Sequence, residues 1–130
     1  MSARILIIED DQNSRELLEY LLRHAGYTPL TASHGSAGVD IIMRERPDLV
    51  LCDLQMPIMD GYQVLKHMRS MKYLQQLPII AVSAFSMVGD QEKAMSAGFS
   101  GYFAKPIDPE TFIQEMEAFL PAELIANVNR

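Results

Sequence analysis

The chain has 130 residues, 48% of them apolar and 22% charged, and a formal net charge of −6. That size and apolar content suit one compact domain with its own core and exclude a disordered tail or a coiled coil. The acidic balance, with a pI near 4.9, argues against nucleic-acid binding, which rests on Lys and Arg neutralising phosphates.

Short apolar strands alternate with helical patterns five times. Ile5-Leu6-Ile7-Ile8 reads as the first strand and runs into Glu9-Asp10-Asp11. Asn13 is placed to cap the helix that follows, with Leu17, Leu18, Leu21 and Leu22 on one face and Gly26 after its end. The second strand spans 28–32; Pro29 inside it cannot donate to a ladder and confines it to a sheet edge. A second helix is expected over about 36–44, burying Val39, Ile42 and Met43. Leu49 to Cys52 is a third, wholly apolar strand that ends in a single carboxylate, Asp53. The third helix starts near Asp60-Gly61 and carries Val64, Leu65 and Met68. The fourth strand, 77–82, ends in Ser83, and a short, weak helix over about 89–96 ends at Gly98. The fifth strand, 101–104, runs into Lys105-Pro106. The last helix is expected to start at Pro109, bury Phe112, Ile113, Met116 and Phe119, and stop at Pro121.

Five β/α units imply an α/β fold, a flavodoxin-like three-layer sandwich with helices on both faces of a parallel sheet. The strand order 2-1-3-4-5 puts the proline-bearing strand at an edge. Ligands of such sheets sit beyond the C-terminal strand ends, at the switch point between strands 1 and 3. One domain is expected over residues 1–130, with its core at about 4–120 and too few residues after the last helix for an output module. The lone Cys52 permits no disulfide within one chain. No apolar run reaches the roughly 18 residues of a membrane helix. With no signal-peptide pattern at the start, a cytoplasmic protein without a membrane partner is expected.

The switch point would gather Glu9, Asp10 and Asp53. Like charges that close do not all stay ionised without a cation, and hard oxygen ligands favour Mg²⁺, or Mn²⁺ in its place. The backbone carbonyl of Gln55 is a further candidate ligand. A carboxylate beside a bound metal can attack a phosphoryl group and form an acyl phosphate. The transferring oxygens then need cations and donors, which Lys105 and Ser83 can supply. Each of these residues alone reads as a surface charge, a cap or a loop group. Four strand ends that each present a group needed for phosphoryl transfer read differently.

The chain resembles the receiver domains of bacterial two-component response regulators over about 4–120. The motifs are Ile7-Ile8-Glu9-Asp10, Asp53-Leu54-Gln55-Met56-Pro57-Ile58-Met59-Asp60-Gly61, Ser83-Ala84 and Lys105-Pro106. The resemblance is strongest to stand-alone regulators and receivers of hybrid kinases. It implies that Asp53 is the phosphorylated residue, that Glu9 and Asp10 hold Mg²⁺, and that Ser83 and Lys105 contact the phosphoryl group. It implies a switch made of Ser83 and Tyr102, a cis Lys105–Pro106 bond, and tuning of the phosphoryl lifetime by Gln55 and Phe85. The implied partners are a sensor histidine kinase or a histidine phosphotransfer protein, and a downstream protein target. Phosphorylation would alter the surface near helix 4, strand 5 and helix 5 of a monomer or weak phosphorylation-linked dimer. His24, His34 and His67 read as ordinary residues, because the family's donor histidine lies on the partner. Met87, Met95 and Phe99 flank the fourth helix and are candidates for a partner surface.

Three rival readings are weaker. A phosphatase of the haloacid dehalogenase type needs a second acid two residues after the nucleophile, where Gln55 stands. A flavin-binding flavodoxin needs a glycine- or hydroxyl-rich loop after strand 1, where Glu9-Asp10-Asp11 would repel a phosphate. A degenerate receiver acting only as a scaffold would not keep the full set of site residues. The expectation is therefore a signalling switch rather than a turnover enzyme.

Overall fold

The computed structural model describes residues 2–84 and 87–126. Five strands, β1 (Arg4–Ile8), β2 (Thr28–Ala32), β3 (Leu49–Asp53), β4 (Ile79–Ser83) and β5 (Gly101–Ala104), form one parallel sheet in the order β2-β1-β3-β4-β5. Between and after them lie α1 (Gln12–His24), α2 (Gly35–Glu45), α3 (Gly61–Arg69), α4 (Asp90–Ala97) and α5 (Phe112–Glu117), with short 3₁₀ turns at Lys72–Leu74 and Ala122–Leu124. The flavodoxin-like order expected from Pro29 is the one observed, with β2 at the edge. No helix among the described residues is long and apolar enough to cross a membrane.

Side chains alternate between the two sheet faces, so each strand feeds two cores. Ile5, Ile7, Leu49, Leu51, Ile80, Val82 and Phe103 pack with Leu18 and Leu22 of α1 and Phe112 and Met116 of α5. Leu6, Ile8, Val50, Cys52, Ile79 and Ala81 pack with α2, α3 and α4 through Ile42, Val64, Leu65, Met68 and Ala94. Burial on both sides explains the uninterrupted apolar runs of β1, β3 and β4. Burying a side chain such as Ile7 or Leu49 contributes about 1.5–3 kcal/mol. The sheet leaves little room between layers: a Cβ on Gly38 of α2 would lie 2.4 Å from Ile8 Cδ1.

Local chemistry sets the helix ends. Asp11, not Asn13, caps α1, its Oδ2 accepting from Ser14 N at 2.9 Å. His34 caps α2, its Nδ1 accepting from Ala37 N at 3.2 Å. Asp60 and Gln63 form a reciprocal capping box at the start of α3, with both bonds at 2.9 Å. Gly98 closes α4 at φ 116°.

Several sequence expectations shift. Leu17 and Met43 are exposed, and Val39 and Ile113 are only half-buried, because each helix presents a narrower stripe to the sheet than its apolar content suggests. The fourth strand begins two residues later than expected, after Pro78. The last helix begins at Phe112, not Pro109. Asp108 holds the preceding segment in a turn, its carboxylate accepting from Glu110 N and its carbonyl from Phe112 N. Phe99 is buried edge-on against Tyr62 and is unavailable to a partner, whereas Met87 and Met95 are exposed.

The start of β4 is pinned by side chains. Arg69 Nη1, at the end of α3, donates to the carbonyls of Leu74 and Leu77 at 2.8 and 2.9 Å. Ser100 Oγ accepts from Ile79 N at 3.1 Å, and Ser100 N donates back to Ile79 O at 2.8 Å.

Candidate functional site

The parallel register brings four strand ends to one level. Ile8 pairs with Cys52, Asp53 with Val82, and Ser83 with Ala104. Ladder bonds continue past the strands, from Glu9 N to Ala32 O, Leu54 N to Val82 O, and Lys105 N to Ser83 O. Glu9, Asp53, Ser83 and Lys105 therefore meet at the C-terminal edge of the sheet. Alternation sorts them. Glu9, Asp53 and Lys105 continue the face covered by α1 and α5, whereas Ser83 and Tyr102 belong to the face covered by α2, α3 and α4.

Glu9, Asp53 and Ser83 are buried, and Asp10 is exposed at the rim. Lys105 Nζ lies 2.6 Å from Glu9 Oε1 and 3.5 Å from Asp53 Oδ2. Glu9 Oε2 accepts from Asp11 N at 3.1 Å, so the residue that caps α1 also steadies the acidic pair. Asp53 Oδ1 accepts from Gln55 N at 3.1 Å. The Gln55 side chain turns back over the pocket: its Nε2 donates to Ser83 Oγ at 3.0 Å, and its Oε1 lies 3.2 Å from the same hydroxyl. Gly61 lets the β3–α3 loop fold tightly here, since a Cβ on it would lie 2.6 Å from the Asp53 carbonyl oxygen.

Burial and the neighbouring Glu9 carboxylate push the Asp53 carboxyl up to about 7, against the opposing pull of Gln55 N–H and Lys105. Burial acts on Glu9 in the same direction, but its bonds to Asp53, Lys105 and the Asp11 backbone outweigh that, and Glu9 is held below the usual carboxylate range. Lys105 loses solvation, yet the two acids more than compensate and raise its pKa. Cys52, one residue before the acceptor position, is driven upward by burial and stays an inert thiol.

The donor set fits a hard divalent cation. Carboxylate oxygens of Glu9, Asp10 and Asp53 lie within 4.8 Å of one another. Glu9 Oε1 is sealed from solvent and has the Lys105 ammonium, 2.6 Å away, as its ion-pair partner. Three carboxylates this close repel one another, and a divalent cation relieves that repulsion.

Glu9, Asp10, Asp53, Gln55, Ser83 and Lys105 meet here, whereas Tyr102 lies in the layer of α2, α3 and α4 and Phe85 lies outside the described residues. Tyr102 is half-buried against the α2–α4 core, and Lys105–Pro106 is cis as the resemblance implied. A cleft of about 380 Å³ opens beside Lys105, walled by Leu17 and Leu18 of α1 with Ala84, Pro106 and Ile107. What the sequence did not reveal is the Gln55–Ser83 contact and the dual role of Asp11. The Asp11-x-x-Ser14 spacing carried the latter as a capping signal.

The chain resembles proteins of known kind. It is 33% identical over 120 residues to the polar-differentiation response regulator DivK of Brucella anthropi, covering 92% of this chain and 98% of that one. The chemotaxis protein CheY4 of Vibrio cholerae superposes with a TM-score of 0.86 at 25% identity, covering 92% of this chain and all of that one. The receiver domain of sensor histidine kinase PA1611 of Pseudomonas aeruginosa superposes with a TM-score of 0.83 at 29% identity, over 92% and 98% of the two chains. That protein holds a magnesium ion in its active-site cleft. Residues 5–117 match the family model of the response regulator receiver domain. The acidic edge, its lysine and the 2-1-3-4-5 sheet thus have one common explanation: the chain belongs to the response regulator receiver domains, the phosphorelay switches of two-component signalling.

Proposed function

We propose that this receiver takes a phosphoryl group from a phosphohistidine of a sensor kinase or phosphotransfer protein onto Asp53. An Asp53 carboxylate oxygen attacks phosphorus, a P–O bond forms as the P–N bond breaks, and the departing imidazole keeps the electron pair and takes up a proton. The cleft beside Lys105 gives the donor side chain an approach. Lys105 moves its charge from the two acids to the phosphoryl oxygens, and Ser83 Oγ donates to another. Glu9, Asp10, Asp53 and the Gln55 backbone carbonyl would hold Mg²⁺, which would supply positive charge to those oxygens. Gln55 and Phe85 tune how long the acyl phosphate persists. The new charge draws Ser83 towards it, Tyr102 moves inward, and the surface of α4, β5 and α5 changes for a downstream protein.

The observation that supports this reading best is the position of Lys105 Nζ, 2.6 Å from Glu9 and 3.5 Å from a buried Asp53 at a strand end. The reading is tested by incubating the protein with acetyl phosphate and magnesium and measuring its intact mass. One phosphoryl group, labile to base, is expected on the wild type and none on Asp53→Ala. A phosphorylated Asp53→Ala protein would overturn the assignment.

A further inference from the structure

Gln55 is an exposed residue, yet its side-chain amide reaches the buried hydroxyl of Ser83. Its backbone N–H holds Asp53 Oδ1 at 3.1 Å, and its amide engages Ser83 Oγ at 3.0 and 3.2 Å through nitrogen and oxygen respectively. Ser83 is buried. It ends β4 on the opposite sheet face from Asp53 and Lys105. Its hydroxyl therefore has to be redirected before it can donate to a group carried by Asp53. A hydroxyl already paired with a primary amide does not turn without losing that pair.

We propose that the Gln55 side chain is a latch that holds Ser83 in the unliganded orientation and competes with the phosphoryl group for its hydroxyl. Gln55 is thus a positioning residue for Ser83. The inference rests on the reading of Asp53 as acceptor and adds the element that opposes it. Breaking the latch is one cost of switching, and it falls on a loop whose backbone also touches the acceptor carboxylate. The loop thereby reports the state of Asp53 to Ser83 through three covalently linked groups of one residue.

A net intramolecular hydrogen bond between neutral groups shifts an equilibrium by about two- to tenfold. Gln55→Met keeps the length of the side chain and the backbone carbonyl but removes the amide. With saturating magnesium, this variant should bind beryllofluoride, a phosphoryl mimic that is not hydrolysed, about two- to tenfold more tightly than the wild type. The gain should vanish when Gln55→Met is made in a Ser83→Ala background, because the latch then has nothing to hold. Equal or weaker binding by Gln55→Met, or the same gain with and without Ser83, would overturn the latch. Beryllofluoride binding that is absent from the wild type, or that survives in Asp53→Asn, would instead overturn the reading of Asp53 on which it rests.

Discussion

Asp53 titrates where few carboxyls do, and that has a consequence for stability. Its folded pKa of about 7 stands above the ordinary 3.8. Below about pH 4 the folded and unfolded chains both hold the proton; between there and 7 only the folded chain does. The stabilisation from this group is therefore present at low pH and lost as pH rises through about 7. Glu9, held below its ordinary 4.5, contributes in the opposite sense and only in the more acidic range. Lys105, raised above 10.5, contributes until far more alkaline pH. In EDTA the melting temperature should fall between about pH 4 and 7, and Asp53→Asn should flatten that slope. An identical slope in wild type and variant would assign the titration to another group. The ionic part of the site was legible in the sequence because Glu9, Asp53 and Lys105 each terminate an apolar run, and parallel strands bring their ends together. The Gln55–Ser83 contact was not, because the reach of a loop amide depends on the path of the backbone between Asp53 and Gly61, which no periodicity encodes.

Elements whose neighbours bury both faces were read with nearly the right bounds. β1 and β3 are continuous apolar stretches ending in charge, and parallel sheets leave few other options for them; β5, at the sheet edge, was bounded by Gly101 and Lys105. α5 was misplaced because Pro109 is a good first-turn residue by local rule, but the Asp108 side chain and carbonyl capture the next amides in a turn. Local preference lost there to a competing side-chain bond. The β3–α3 loop depends on one residue that the sequence showed only as part of a motif. Gly61 lies against the Asp53 carbonyl and Leu54 Cα, backbone atoms with no rotamer to change. Gly61→Ala should destabilise the fold by about 1–3 kcal/mol, the usual cost of overpacking, and slow phosphorylation by acetyl phosphate. Urea melts and timed intact-mass measurements would show both, and a variant as stable and as reactive as the wild type would mean that the loop yields freely.

Across the whole molecule the sheet acts as a partition. Acids and lysine open towards α1 and α5, while Ser83 and Tyr102 belong with the layer of α2, α3 and α4. β4 is held at its start by Arg69 and Ser100, while its C-terminal end carries Ser83 beside the acidic site. This asymmetry sets which backbone amides trade their protons with solvent. Ile79, Ile80 and Ala81 should exchange only through global opening, with or without beryllofluoride, and altered protection should begin at Ser83. Arg69→Ala removes the side-chain donor to the carbonyls of Leu74 and Leu77, leaving Leu74 O only the backbone N–H of Leu77. It should turn the start of β4 into a separately opening unit, seen as amides of Ile79 and Ile80 that exchange well before the rest of the sheet. If those amides keep step with β1 and β3 in the variant, the strand is anchored by its packing alone. A receiver built this way is a lever with its fulcrum outside the chemistry, and deuterium uptake would locate that fulcrum at the end of α3.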